Sequence, residues 1–161
     1  MEHENYQRPG ALSNAHVGRD FETVAVEVFS TAGIQLVKNF AVDIGISEIR
    51  KNHAFDLGSD TPPTLVECKS HRWTAGGNVP SAKMTVWNEA MYYFACAPAE
   101  YRKILFVLKD LRNQTGESLA HYYIRTYRHL IPLDVEIWEY DEETDRPEVV
   151  YQSQSYPHSN T

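Results

Sequence analysis

Apolar residues in the first third of the chain recur first at helical spacing and then at strand spacing. The helical period predicts a helix from about Gly18 to Ala32, and Gly33 is a typical residue at such an end. Its buried stripe consists of Phe21, Val24, Ala25, Val28 and Ala32. Residues 34–46 mix apolar and polar positions, as an edge strand or a bent strand does. Residues 47–52 have the composition of a solvated turn.

Two short apolar runs on either side of a proline pair predict a β-hairpin. The first run covers residues 53–58 and the second covers residues 64–69. The segment between them contains Pro62 and Pro63 and is long enough to connect two antiparallel strands. Asp56 on the first strand can then lie beside Glu67 and Lys69 on the second.

The second half of the chain alternates helix and strand patterns. Ser81 caps a predicted helix that runs to about Ala95. The apolar stripe of that helix is Met84, Trp87, Ala90, Met91 and Phe94. Residues 104–108 form a continuous apolar run typical of a buried central strand, residues 117–130 predict a third helix, and residues 135–140 alternate as a final edge strand. These patterns predict an α/β domain with a mixed sheet of four or five strands flanked by helices.

Length and composition predict one cytoplasmic domain with a tail at each end. We expect a flexible N-terminal arm over residues 1–17, a domain over residues 18–140, and an acidic, loosely ordered tail over residues 141–161. No apolar run approaches 18 residues, and the acidic, polar start of the chain does not have the pattern of a signal peptide. Cys68 and Cys96 fall in predicted buried segments, as the reduced thiols of a cytoplasmic protein do.

The net charge of −7 disfavours a broadly basic nucleic-acid-binding surface. Residues 134–148 hold eight acidic residues and one arginine, so this stretch carries the whole excess and the rest of the chain is near neutral. A contact with phosphate groups must therefore be local. We expect modest affinity for nucleic acid, or help from a partner.

The strand that ends at Lys69 carries charged residues at positions where the pattern calls for core residues. Because side chains alternate along a strand, Glu67 and Lys69 share one face, and Cys68 points to the other. With Asp56 alongside, two carboxylates and a lysine suit a hard divalent cation such as Mg²⁺. An inter-strand ion pair explains the same residues equally well. A zinc site is disfavoured, because Cys68 and His71 point to opposite faces of a strand.

Asp56 followed by Glu67-Cys68-Lys69 resembles the D…ExK core of the PD-(D/E)xK nuclease superfamily, which includes restriction endonucleases and Holliday junction resolvases. The resemblance implies the restriction-endonuclease-like core, with the order helix, three strands, helix, strand, over about residues 18–110. Phe55 stands where many members have proline. The Q-x3-Y pattern of the RecB-like branch is absent.

The resemblance also implies roles for individual residues. Asp56 and Glu67 would ligate Mg²⁺, or Mn²⁺ as a substitute, together with the backbone carbonyl of Cys68. Lys69 would position or activate the attacking water. Glu22 matches the helical glutamate of many members through Gly18-x-x-Phe21-Glu22, and it would support the metal directly or through water. Helical geometry independently predicts that Glu22 is half-buried, whereas Glu27 is solvated.

The loop after Lys69 and the start of the next helix provide candidate nucleic-acid contacts. Arg72 and Lys83 suit phosphate groups, and Trp73 suits base stacking. The expected function is Mg²⁺-dependent cleavage of DNA, with a homodimer to address two strands and a possible recognition partner protein. Two alternatives stay open: a non-catalytic nucleic-acid-binding or assembly module on the same fold, and an RNA-directed nuclease.

Overall fold

The computed structural model describes residues 20–153. The predicted N-terminal arm over residues 1–17, Gly18 and the last residues of the predicted tail lie outside the described residues. Three α-helices are present in the described part: α1 (Phe21–Thr31), α2 (Ser81–Cys96) and α3 (Leu119–Tyr127). Its strands are β1 (Val37–Ile44), β2 (Lys51–Asp60), β3 (Pro63–Lys69), β4 (Arg102–Leu108), β5 (Val135–Asp141) and β6 (Arg146–Tyr151).

The six strands form one mixed sheet in which neighbours in sequence are neighbours in space, from β1 to β6. The strands β3, β4 and β5 are parallel to one another, and the other neighbours pair antiparallel. The predicted α/β class is confirmed, and the elements follow the predicted order of one helix, three strands, one helix and one strand. The assignment to the restriction-endonuclease-like fold stays a prediction.

Helices cover both faces of the sheet and divide the core into two layers. On one face, Phe29 of α1 packs with Val66, Phe106 and Trp138 from the sheet. On the other face, α2 and α3 pack against the opposite side chains of the same strands. All five residues of the apolar stripe predicted for α2 are buried. The helices thus sandwich the parallel strands, whose side chains are buried on both faces.

The sheet extends beyond the predicted set of strands at its C-terminal side. Residues 135–140 were expected to form an edge strand, but β5 pairs with both β4 and β6. The strand β6 lies inside the segment expected to be a loosely ordered tail. Its first four side chains are exposed, so backbone hydrogen bonds to β5 hold most of it in place, and Val150 and Tyr151 at its end pack against the core. The strand β2 also begins earlier than predicted, at Lys51, inside the expected turn.

No helix among residues 20–153 is long and apolar enough to cross a membrane.

Candidate active site

The antiparallel ladder between β2 and β3 ends just before the predicted site residues. Its last pair is Leu57 with Val66, and beyond this pair the Oδ2 atom of Asp56 accepts a hydrogen bond from the backbone N–H of Cys68 at 2.8 Å. The N–H and C=O groups of one strand residue point to the same side of the strand. The carbonyl of Cys68 is therefore directed to the side on which Asp56 lies.

Asp56 also marks a point where β2 changes the face to which its side chains point. Phe55 packs in the layer under α2 and Leu57 in the layer under α1, although regular alternation would put both on one face. The register of β1 places Asn39 opposite Asp56, and Asn39 has a positive φ of 53°. The change of face thus involves both β1 and β2, and it occurs at Asp56.

Glu67 and Lys69 form a largely buried ion pair on the face of β3 that α2 covers. The Nζ atom of Lys69 lies 3.2 Å from Oε2 of Glu67, and their side chains are 16% and 9% exposed. Burial and the nearby charge of Asp56 raise the pKa of Glu67 to about 7, against the opposing effect of Lys69. One lysine therefore does not compensate the two carboxylates fully, and added positive charge at this point favours the ionised form of Glu67.

Glu22 joins this cluster from the first turn of α1. Burial raises the pKa of Glu22, and the charge of Asp56 raises it further, whereas Lys38 and Lys69 lower it. Glu22 is half-buried and Glu27 is exposed, as the helical pattern predicts. The start of α1 is fixed by Asp20, whose side chain accepts a hydrogen bond from the N–H of Glu22. The structure thus brings Asp56, Glu67 and Lys69 together, and Glu22 lies near enough for the charges of Asp56 and Lys69 to affect its pKa.

Oxygen donors at this site fit a hard divalent cation in number and type. Asp56 and Glu67 supply carboxylates on adjacent strands, and the carbonyl of Cys68 is directed to the same place. Within residues 20–153, no three His, Cys, Asp or Glu side chains are arranged so that they alone hold a metal ion. Mg²⁺ commonly takes only one or two carboxylates and completes its shell with water and substrate oxygens, so this donor set suits it.

Trp73 does not lie where a nucleic-acid contact requires it to be, which corrects the sequence interpretation. Its side chain is 8% exposed and belongs to the core layer under α2. The indole N–H donates to the carbonyl of Asp110 at 3.0 Å, and the backbone N–H donates to Oδ2 of Asp110 at 2.7 Å. The glycine-rich loop is therefore pinned to the end of β4, and the ring is not available to stack on a base.

Arg72 and Lys83 remain at the surface, in different electrostatic settings. Arg72 forms ion pairs with Glu142 and, at 3.4 Å, with Asp110. Together with Lys109 and Asp141, these residues line a cavity of about 310 Å³ past the ends of β4 and β5. Carboxylates thus already neutralise Arg72. Lys83 is exposed in the first turn of α2 and has no ion pair in the described part of the chain.

Two residues near the site were not assigned to it from the sequence. Lys38 on β1 binds Oδ2 of Asp20 at 2.6 Å and Oγ1 of Thr23 at 2.9 Å, beside Glu22. His71 accepts a hydrogen bond from the indole of Trp87, and burial together with the charges of Lys83 and Lys69 lowers its pKa. Both contacts join distant parts of the chain. The spacing of residues within one element gives no signal for them.

Comparisons with known proteins leave the site to be interpreted from its own geometry. No protein-family model matches this chain, and no curated protein or solved structure matches it.

Proposed function

We propose that this protein is a Mg²⁺-dependent phosphodiester hydrolase of the PD-(D/E)xK type that acts on DNA. One observation carries the proposal: Asp56, Glu67 and Lys69 lie together at the point where β2 and β3 separate, within the electrostatic influence of Glu22 on α1. The charges are under-compensated there, and the nearby donors are oxygen atoms. An acidic oxygen site with one adjacent lysine suits metal-assisted attack on a phosphate diester.

The residues have separate tasks in this proposal. Asp56 and Glu67 would hold Mg²⁺ together with the carbonyl of Cys68, and Mn²⁺ would take the same ligands. The chemistry that a cation would supply there is a water of lowered pKa and compensation of the charge that develops on the phosphate. Lys69 orients the attacking water through its ammonium group, which Glu67 keeps in place. Glu22 supports the metal, either directly or through a water molecule.

The proposal extends to a homodimer on double-stranded DNA. Residues 20–153 of one chain offer one such cluster, whereas a duplex has two strands to cut, so a two-fold pair of chains matches the symmetry of the substrate. Sedimentation at micromolar concentration, with and without a duplex oligonucleotide, measures the assembly. An RNA substrate shares the phosphodiester chemistry, so RNA belongs in the same cleavage assay.

A non-catalytic module is the second candidate, and one observation favours it. The Nζ atom of Lys69 already lies within ion-pair distance of Glu67, as in a purely structural network. Such a network predicts negligible binding of Mg²⁺, because Lys69 occupies the carboxylate. Titration calorimetry with Mg²⁺ distinguishes the candidates: a live site binds the cation in wild type, and Glu67→Ala loses that binding.

The decisive experiment is nicking of supercoiled plasmid in Mg²⁺ or Mn²⁺. Wild type is expected to nick the plasmid, and Lys69→Ala, Glu67→Ala and added chelator are each expected to abolish nicking. The matched control is Glu27→Ala, which removes an exposed carboxylate from the outer side of α1 and should nick normally. If wild type cleaves neither plasmid, single strands, branched DNA nor RNA, and binds no metal, the hydrolase proposal is wrong.

A further inference from the structure

His71 follows β3 by two residues and has its ring orientation set by a buried donor. The Nε1–H group of Trp87 donates a hydrogen bond to Nδ1 of His71 at 2.8 Å, and Trp87 is fully buried. An indole N–H can only donate, so Nδ1 must be the unprotonated nitrogen. The neutral imidazole therefore carries its proton on Nε2, which points away from Trp87.

The surroundings of His71 are cationic. Burial lowers the pKa of His71, and the charges of Lys83 and Lys69 lower it further. His71 follows Lys69 at the end of β3 by two residues, and its partner Trp87 lies one helical turn after Lys83 on α2. Within residues 20–153, His71 makes no hydrogen bond other than the one with Trp87. A neutral N–H donor flanked by two ammonium groups suits an anion with several oxygen atoms.

We propose that His71 is a substrate-binding residue of this site, whose Nε2–H donates to a non-bridging oxygen of a DNA phosphodiester held beside Lys69 and Lys83. Trp87 is a positioning residue, because its indole selects the tautomer that can donate outwards. The inference rests on the proposed function. It assigns the phosphate subsite to His71, Lys69 and Lys83 rather than to Arg72, which carboxylates already neutralise.

A structural role for the same hydrogen bond makes a different prediction. If His71 serves only to satisfy the buried indole of Trp87, then any acceptor at the Nδ1 position is sufficient. Two substitutions distinguish the roles. His71→Asn keeps an acceptor near Nδ1 for Trp87 and removes the outward donor. His71→Gln keeps a donor near Nε2 and moves the acceptor away from Trp87.

The test measures binding of a fluorescent duplex oligonucleotide by anisotropy, at low salt and with Ca²⁺ in place of Mg²⁺. We expect His71→Asn to weaken binding about 10-fold while its melting temperature stays near that of wild type. We expect His71→Gln to bind within about 3-fold of wild type but to melt about 2–4 °C lower. Nitrogen-15 NMR of the imidazole should show the Nε2–H tautomer, with an Nε2 signal that shifts when the duplex is added.

Several outcomes overturn the proposal. Wild-type binding by His71→Asn, or an imidazole in the Nδ1–H tautomer, removes the phosphate contact. If wild type nicks plasmid and Lys69→Ala does not, that result leaves the hydrolase function in place and only the role of His71 is wrong. If wild type binds the duplex through His71 but cleaves nothing, the contact stands and the hydrolase function is wrong. If wild type binds no duplex, the role of His71 is wrong, and the cleavage and metal-binding assays alone decide the hydrolase function.

Discussion

Asp56 uses its Oδ2 atom to accept a hydrogen bond from the backbone N–H of Cys68, at 2.8 Å and twelve residues further along the chain. The bond takes the place of a backbone hydrogen bond between β2 and β3, whose last regular pair is Leu57 with Val66. One side chain therefore both closes the end of a strand pair and places a carboxylate beside Glu67. Asp56 therefore has a structural role, the hydrogen bond to Cys68, and a proposed role as a metal ligand. Substitutions at Asp56 must distinguish these two roles.

Asp56→Asn is expected to keep the fold and lose the metal. The amide oxygen of asparagine can still accept from the N–H of Cys68, while the negative charge is gone. Asp56→Ala leaves that N–H without its partner, at a cost of about 1–3 kcal/mol, partly offset because repulsion with Glu67 also disappears. Urea unfolding should give a larger free energy of unfolding for Asp56→Asn than for Asp56→Ala. Calorimetry should show Mg²⁺ binding weakened at least about 10-fold in both variants. Equal instability of the two variants would argue against the role of the Cys68 contact.

Part of this architecture follows directly from local sequence patterns. The periodicity of α1 distinguishes the half-buried Glu22 from the exposed Glu27, and the stripe of α2 is buried as expected. The proline pair separates two runs that do pair as β2 and β3. These features depend on residues within one element or one hairpin, where spacing alone determines which side chains share a face.

Other features depend on contacts between distant residues and are invisible to local patterns. The change of face at Asp56 involves the positive φ of Asn39 on the neighbouring strand. Trp73 is buried where its indole N–H and its backbone N–H both donate hydrogen bonds to Asp110, 37 residues away. The strand β6 is held mainly by backbone pairing with β5, so its mostly exposed side chains carry no apolar alternation. Each error thus has a tertiary cause.

The contribution of Glu67 to the stability of the protein is expected to fall as pH rises from about 4.5 to about 7. The pKa of Glu67 is about 7 in the folded protein against an ordinary value of 4.5, so the folded state holds a proton that the unfolded state has released. The unfolding free energy contributed by this group is fully present below pH 4.5. Up to about 3 kcal/mol is lost by pH 7, and the effect levels off above that.

Glu67→Gln isolates this contribution, because the amide does not titrate and its oxygen can still accept from Lys69. Urea unfolding in the presence of chelator, repeated from pH 4.5 to pH 8, measures the unfolding free energy of both proteins. The unfolding free energy of the variant should increase relative to that of wild type as the pH rises. At pH 8 the variant should be the more stable protein. A difference between the two proteins that does not vary with pH would contradict the raised pKa of Glu67.

Glu22→Gln should reduce metal-dependent nicking about 10- to 100-fold without loss of folded protein, because Glu22 supports the site from its edge. Its pKa is raised by burial and by Asp56, so removal of its charge should leave stability unchanged or slightly improved. The matched control is Glu27→Gln, on the exposed side of the same helix. Nicking rates at saturating Mg²⁺ and melting temperatures of both variants provide the comparison. Equal rates for the two variants would remove Glu22 from the site.

Trp73 is expected to matter for stability and not for nucleic-acid binding. Its ring is buried against Tyr122, with ring centroids 5.4 Å apart, and the guanidinium of Arg112 lies 4.8 Å from the centroid of the indole. Trp73→Ala should therefore cost about 3–5 kcal/mol. Trp73→Phe fills most of the volume but loses the hydrogen bond to Asp110, at a cost of about 1 kcal/mol. Duplex affinity of Trp73→Phe, measured well below its melting temperature, should equal that of wild type.

Lys83→Ala is the matched comparison, because an exposed lysine contributes to phosphate binding without supporting the core. It should weaken duplex binding several-fold at low salt and leave the melting temperature unchanged. If Trp73→Phe bound duplex much more weakly than Lys83→Ala, the indole would have to reach the substrate, and the loop could not be pinned to β4 as it is in this structure.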